Sequence, residues 1–496
     1  MSKLSVIDWH QSASALRPRT QAFINGQFVD ARSGLLFDCI NPATESVIAR
    51  ASACDANDVD DAVRAARSSF ESGVWSAADP ATRKSALLKL ADLIRANLQE
   101  LALLESLNTG KLVAGAASID VPGSAAIFQW YAEAIDKIYD EVAPTGAGNL
   151  ALVQREPLGV IGAVVPWNFP LDIAAWKCAP ALAAGNSVVL KPAEQSPLSA
   201  LRLAELATEA GIPPGVLNVV AGFGETAGQA IGLHPDIDCV TFTGSTEVGK
   251  RFLAYSAQSN MKQVWLECGG KSPLIVFDDC ADLDGAADGA ALGILFNQGE
   301  VCSATSRLLV DRRVAADFTG RLLDRMARYS PGDPLDPQST MGALVDEDHT
   351  QRVLEHIGRA RSHARLLTGG ERVRVGGRGC FIPPTVFADV HPSSPLAQQE
   401  VFGPVLAIIP FADEREAVQI ANSSIYGLAA SVWTSNLSRA HRVARALRVG
   451  TVSVNTVDAL SPQTPFGGFK QSGFGRDLSL HAFDKFTALK TTWIKY

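Results

Sequence analysis

Between residues 158 and 256 the chain alternates short, wholly apolar runs with segments of helical period, and this alternation narrows the architecture more than any other feature. Residues 160–165, 187–190, 216–220 and 239–242 read as buried strands, and 171–184, 200–210 and 246–256 as helices. A strand with no polar face must be covered on both sides, so these runs predict a parallel sheet between helix layers. A second series of the same texture extends from about 273 to about 455, with strands at 274–277, 307–310, 405–409 and 452–455. Upstream, Val59, Ala62, Val63 and Ala66, then Leu87, Leu88, Leu90, Ala91 and Ile94, fall at helical spacing and predict two or three amphipathic helices. A chain of 496 residues with 47% hydrophobic content has room for two or three such cores. Stretches 130–145 and 485–496 read instead as a protruding β-arm, whose open edge requires a second subunit to cover it.

Composition excludes several classes. A formal charge of −8 without any Lys/Arg block argues against a nucleic-acid surface. No apolar run reaches the ~18 residues of a membrane span, and residues 1–8 carry no secretory signal. The eight cysteines form no C-x-x-C pair and most sit in apolar stretches, which fits reduced thiols of a cytoplasmic protein. The eight histidines are scattered, so no metal site is expected.

Chemistry concentrates in Phe296-Asn297-Gln298-Gly299-Glu300-Val301-Cys302. A lone cysteine is most often a buried core thiol. Here it follows a polar, glycine-bearing turn and precedes small residues, a setting whose backbone donors are expected to depress a thiol pKa. Glu267, at the end of an apolar strand on the hinge Gly269-Gly270, lies where α/β sheets bind ligands. A solvated strand-end acid is the equal alternative. A thiolate attacks carbonyls, and a nearby carboxylate can activate water against the resulting thioester. Together with Pro166-Trp167-Asn168-Phe169-Pro170, these segments resemble the aldehyde dehydrogenase superfamily over nearly the whole chain.

That resemblance implies NAD-dependent oxidation of a small-molecule aldehyde to an acid. Cys302 would be the nucleophile, Glu267 the base for the deacylating water, and Asn168 the side-chain donor to the oxyanion, with Lys177 and Asp477 as a proton-relay pair. Asp477 departs from the family's usual glutamate, and a surface salt bridge is its alternative role. The implied fold is α/β: a Rossmann-like NAD-binding domain (1–126 and 148–258), an α/β catalytic domain (259–459), and a small β-arm oligomerisation domain (127–147 and 473–496) making a homodimer or homotetramer. Two rival classes remain: a cofactor-free cysteine hydrolase, which needs a histidine beside Cys302, and a non-catalytic structural relative, which has no need of Cys302 or Glu267.

Two glycine patterns bear on the cofactor. Gly222-Phe223-Gly224-Glu225-Thr226-Ala227-Gly228 has one residue too many for a dinucleotide fingerprint. Gly244-Ser245-Thr246-Glu247-Val248-Gly249-Lys250 has phosphate-loop spacing, but Arg251 replaces the magnesium-binding hydroxyl. It still opens a helix, a natural pyrophosphate site. By resemblance Pro166, Trp167, Phe242, Gly244, Ser245 and Gly249 line the dinucleotide groove. Lys191 and Glu194 would contact the adenosine ribose, and Glu400 and Phe402 would hold the nicotinamide ribose. A carboxylate at 194 favours NAD over NADP, softened by Lys191.

On the substrate side, Phe169, Asp172, Ile173 and Trp176 share one helix face. With Phe296, Val301, Ser303 and Phe466 they would line the aldehyde tunnel. Asp172, and Asp458 in the 455–465 loop, are acids able to hold a cationic amine. Trp130-Tyr131-Ala132-Glu133-Ala134-Ile135-Asp136-Lys137 and Gly475-Arg476-Asp477 carry a narrower resemblance to bacterial γ-glutamyl-γ-aminobutyraldehyde and guanidinobutyraldehyde dehydrogenases. The expected substrate is therefore an ω-amino or γ-glutamylamino aldehyde. The alternative is an arylacetaldehyde such as indole-3-acetaldehyde, since the tunnel is aromatic and 456–464 departs from the narrower group.

Overall fold

Two largely parallel sheets form where the apolar runs predict them. In the computed structural model, which describes residues 8–496, the first sheet has eight strands. Their order is Gln27–Val29, Ala22–Ile24, Leu217–Val219, Ser187–Lys191, Val160–Val164, Cys239–Thr243, Gln263–Glu267 and Gly473–Phe474. The five strands from Leu217–Val219 to Gln263–Glu267 run parallel, and the outer ones pair antiparallel. The chain lays down Val160–Val164, builds outward through two strands, then returns to place Cys239–Thr243 on the other side. That reversal opens a crevice at the carboxyl ends of these two neighbours, where α/β sheets bind ligands.

Three helices occupy the region where two or three were expected: Ala56–Glu71, Pro80–Ala96 and Leu98–Thr109. Asp55 starts the first with a capping box, and Asp79 caps the second ahead of Pro80 at its first position. The second sheet has seven strands in the order Arg365–Thr368, Thr385–Ala388, Val405–Phe411, Arg307–Asp311, Pro273–Val276, Ala429–Trp433 and Thr451–Val454. Cys302 and Glu400 precede Arg307–Asp311 and Val405–Phe411, so both hang from the amino edge of this sheet.

The arm is a third, antiparallel sheet ordered Thr487–Lys495, Asn149–Pro157, Glu141–Ala143. Leu489 and Trp493 stand exposed on it. Its strands differ from the expected 127–147 and 473–496. Residues through Ala134 continue the helix Val121–Ala134, because Phe128 and Tyr131 at helical spacing pack into the core. The strand Asn149–Pro157 joins the arm, and Gly473–Phe474 joins the first sheet.

The secretory-signal reading falls on 1–8, of which 1–7 lie outside the described residues. Among the described residues no helix is long and apolar enough to cross a membrane. The eight cysteines are free thiols; seven are buried and Cys302 is partly buried.

Candidate active site

A cavity of about 230 Å³ opens between the carboxyl edge of the first sheet and the amino edge of the second. Trp167, Asn168, Glu267, Cys302, Glu400 and Phe402 line it, with Pro166, Ile173, Gly244 and Ser245. Residues from six separate stretches of sequence thus meet where the strand order reverses.

Cys302 is delivered by a left-handed turn in which Asn297, Gln298 and Gly299 have φ of 47°, 58° and 76°. Glycine is required at 299, since a Cβ there would lie 2.4 Å from Gly403 O. The expected depression of the thiol pKa does not occur. Burial pushes the Cys302 thiol well above its ordinary value, and the Asp458, Glu400 and Glu267 carboxylates push it further, against one opposing backbone donor at Ser303.

Asn168 is buried and fixed at both ends. Its Nδ2 donates to Glu300 O at 2.9 Å, and its backbone oxygen accepts from Asn297 Nδ2 at 3.1 Å. One of its two amide hydrogens is therefore spent on positioning. Glu267 ends its strand with both carboxylate oxygens buried and without a hydrogen-bond partner among the described residues. Burial and then the Asp477 charge hold its pKa well above the carboxylate range, against Lys177, Lys485 and Arg476.

Lys177 and Asp477 do meet, but the alternative of a surface salt bridge is wrong. Both are fully buried, and Lys485 bonds the other Asp477 oxygen. The shorter side chain still reaches because Asp477 is brought inward by reciprocal backbone bonds with Phe466, each of 2.8 Å. Burial raises the Asp477 pKa, yet the two ammonium groups outweigh it and hold it below the usual range.

On the cofactor side, Ser245 caps the helix Thr246–Gln258, accepting from Val248 N at 3.2 Å. Phe242 is a core ring 5.0 Å from Phe252. It supports the groove from beneath, since a Cβ on Gly244 would lie 2.5 Å from Phe242 Cζ. Gly249 lets its helix approach Cys268, whose Sγ would be 2.9 Å from a Cβ there. Glu400 Oε1 accepts from Gly270 N at 2.9 Å, and burial raises its pKa to about 7. Lys191 and Glu194 lie outside the Cys302 cavity, at the carboxyl end of the neighbouring strand, with Lys191 Nζ 3.4 Å from Glu194 Oε2. A helix start rich in amides, the orphaned buried Thr243 hydroxyl on the cavity wall, and Glu400 opposite fit a ligand bearing phosphates and ribose hydroxyls. The 222–228 glycines make a structural turn instead, with Gly222 packed on Cys54 O.

The expected tunnel residues pair off. Phe169 stacks on Phe296 at 6.0 Å, and Trp176 meets Phe466 edge-on at 5.2 Å. Ser303 Oγ donates to Asp458 Oδ1 at 2.7 Å, and Val301 is buried. Burial, followed by the charge of Asp120, raises the Asp172 pKa to about 8, with Lys111 opposing and Glu105 adding to the rise.

Sequence reasoning missed His349 and Arg352, both on the cavity wall. They lie on the helix Glu347–Ala360, whose apolar spacing marks only a surface helix. His349 packs on Trp167 at 5.3 Å and its Nε2 bonds Phe402 O at 2.7 Å. Burial lowers its pKa to about 4. Its Nε2 is therefore committed to a carbonyl, which weakens the hydrolase alternative. Lys111, Asp120 and Lys485 were missed as well, none of them lying in a motif.

Two layered sheets, a thiol at the amino edge of one and a carboxylate at the carboxyl edge of the other define a dehydrogenase-type α/β architecture. The chain belongs to the aldehyde dehydrogenase family, whose model matches residues 28–492. It is 51% identical to the NADP/NAD-dependent aldehyde dehydrogenase PuuC of Escherichia coli strain K12, over 98% of each chain. Among solved structures it resembles the indole-3-acetaldehyde dehydrogenase AldA of P. syringae in complex with NAD+ and IAA, with TM-score 0.98, 52% identity and 99% of each chain covered. It also resembles the γ-glutamyl-γ-aminobutyraldehyde dehydrogenase of Burkholderia cenocepacia J2315, with TM-score 0.97, 53% identity and 99% of each chain covered.

Proposed function

We propose that this protein oxidises an aldehyde to its carboxylic acid, with Cys302 as nucleophile, Asn168 as oxyanion donor, Glu267 as base and NAD as cofactor. One observation carries the reading: Cys302, Asn168, Glu267 and Glu400 face a single cavity. The Cys302 sulfur adds to the carbonyl carbon as its proton leaves to solvent. The oxyanion is held by the remaining Asn168 Nδ2 hydrogen and the Cys302 amide. NAD, when bound, supplies the acceptor for the hydride leaving that carbon. Glu267 then takes a proton from water as the water oxygen attacks the thioester, and the C–S bond breaks to release the acid. Glu194 disfavours a 2′-phosphate, so NAD is preferred over NADP. The exposed arm edge seats a second copy, giving a homodimer or homotetramer.

Asn168→Ala should lower kcat roughly a hundredfold or more, the usual cost of one oxyanion donor, while its melting temperature stays close to wild type. NADH formation over an aldehyde panel, with this variant alongside, tests the reading.

The substrate is an ω-amino or γ-glutamylamino aldehyde. Glu105, Asp120 and Asp172 gather around a single lysine, Lys111, and the raised Asp172 pKa marks a carboxyl with no cation of its own, which an entering ammonium would draw into its ionised form. The similarity to the Burkholderia cenocepacia enzyme supports the same choice. The second reading, an arylacetaldehyde, is favoured by the Phe169–Phe296 and Trp176–Phe466 pairs and by the similarity to AldA. Asp172→Asn should cut kcat/KM for an amino aldehyde by roughly ten- to a hundredfold, the worth of a hydrogen bond to a charged group, and spare indole-3-acetaldehyde. A higher wild-type specificity constant for the aromatic substrate would overturn the choice.

A further inference from the structure

Glu300, two residues before the thiol, ties three parts of the site together. Its backbone oxygen accepts from Asn168 Nδ2 at 2.9 Å and Asn297 Nδ2 at 3.3 Å. Its carboxyl accepts the Val345 N–H at 3.0 Å and lies 3.7 Å from His349 Nε2, the nitrogen bonded to Phe402 O. Gln298 adds a two-point clasp: Oε1 accepts from Gly342 N at 3.0 Å, and Nε2 donates to Ala343 O at 3.3 Å. Both side chains are buried, yet neither lines the cavity that holds Cys302.

The turn they hold is not one these residues adopt unaided. Asn297 and Gln298 occupy the left-handed region, where a Cβ crowds the backbone. Such conformations persist when surrounding contacts over-determine them. Here the contacts come from 342–345, the segment leading through the cap Asp346 into the helix Glu347–Ala360. That helix carries His349 and Arg352 on the cavity wall. One set of hydrogen bonds thus anchors the thiol, the oxyanion donor and a wall of the cofactor groove.

We propose that the clasp of Gln298 and Glu300 onto 342–345 is the positioning device of the nucleophile, holding Cys302 in register with Asn168 and coupling both to the cofactor-side helix. This rests on Cys302 being the nucleophile. Neither residue lines the cavity that holds Cys302, so each acts on the thiol through the turn. Glu300 acts through its backbone oxygen on Asn168 and through its carboxyl on Val345.

The test compares Glu300→Gln, which keeps an oxygen acceptor for Val345 N, with Glu300→Met, which keeps the length and removes it. The readouts are kcat and KM for one aldehyde, NAD affinity by titration, and the rate of Cys302 alkylation by iodoacetamide with and without NAD. Glu300→Met should lose about 10- to 100-fold in kcat, as ångström-scale misplacement of a reacting group does, with KM changed less than about threefold. NAD should also no longer alter its alkylation rate, while Glu300→Gln stays within about threefold of wild type on every readout. Wild-type kcat in Glu300→Met, or equal damage in Glu300→Gln, overturns the proposal. Should Glu300→Met be insoluble, Gln298→Met decides on the same readouts, and wild-type kcat again overturns it. Undiminished turnover in a parallel Cys302→Ala control would instead bring down the nucleophile assignment beneath it.

Discussion

Cys302→Ala is expected to bind NAD with wild-type affinity and to form no measurable NADH from any aldehyde, a loss of at least ~10⁴-fold in kcat. The size of the effect follows from the absence of a stand-in. Cys268 lines the same cavity, but its sulfur packs toward Gly249 on the helix beneath. His349 has its Nε2 committed to Phe402 O. Trp167, on the cavity wall, offers a fluorescence signal for the binding half of the experiment. The thiol's raised pKa adds a directional check. Without cofactor, Cys302 should be alkylated slowly at neutral pH, about tenfold faster for each unit of pH increase until its own pKa is reached. Turnover in Cys302→Ala above about 1% of wild type would move the nucleophile elsewhere, since removing a covalent nucleophile leaves far less.

The thiol also shows where sequence reasoning stops. The local donor at Ser303 is visible in the sequence, but the burial that dominates, and the Asp458, Glu400 and Glu267 carboxylates that add to it, come from distant segments. The strands were legible because a run such as Val160–Val164 is buried along its whole length and has no polar face to confuse it. The arm was only partly so. Trp130 and Tyr131 are aromatic enough for a strand, yet Tyr131 packs on Phe483 within the core as part of a helix. Lys485 falls in a stretch that reads as an exposed strand, but it sits fully buried on Asp477 in a short turn just before that strand. Likewise Asp172 could be seen as an odd acid on an aromatic face, whereas its neighbours Glu105, Lys111 and Asp120 could not. Motifs marked the groups that bear chemistry, and only the fold reveals the charges that tune them.

Glu267→Gln separates the two half-reactions. One equivalent of NADH should form at close to the wild-type rate, after which turnover falls by about 10²- to 10⁴-fold, the range for a lost general base. Intact-protein mass spectrometry should then find the acyl group on Cys302. The substitution is mild for the fold, because burial and the Asp477 charge already keep Glu267 protonated well above the carboxylate range. Glutamine resembles that neutral form, so the Lys177–Asp477–Lys485 cluster keeps its charge balance and the melting temperature at neutral pH should hold. The same raised pKa fixes the sign of the pH effect. A base must lose its proton to act, so wild-type turnover limited by deacylation should climb as pH rises above the ordinary carboxylate range, and the variant should lose that slope. The two outcomes are linked by one carboxylate: a burst that persists together with a flat pH profile assigns both to Glu267. Wild-type steady-state turnover in Glu267→Gln would remove it from the water step and leave its two unpartnered oxygens without a purpose in the cavity.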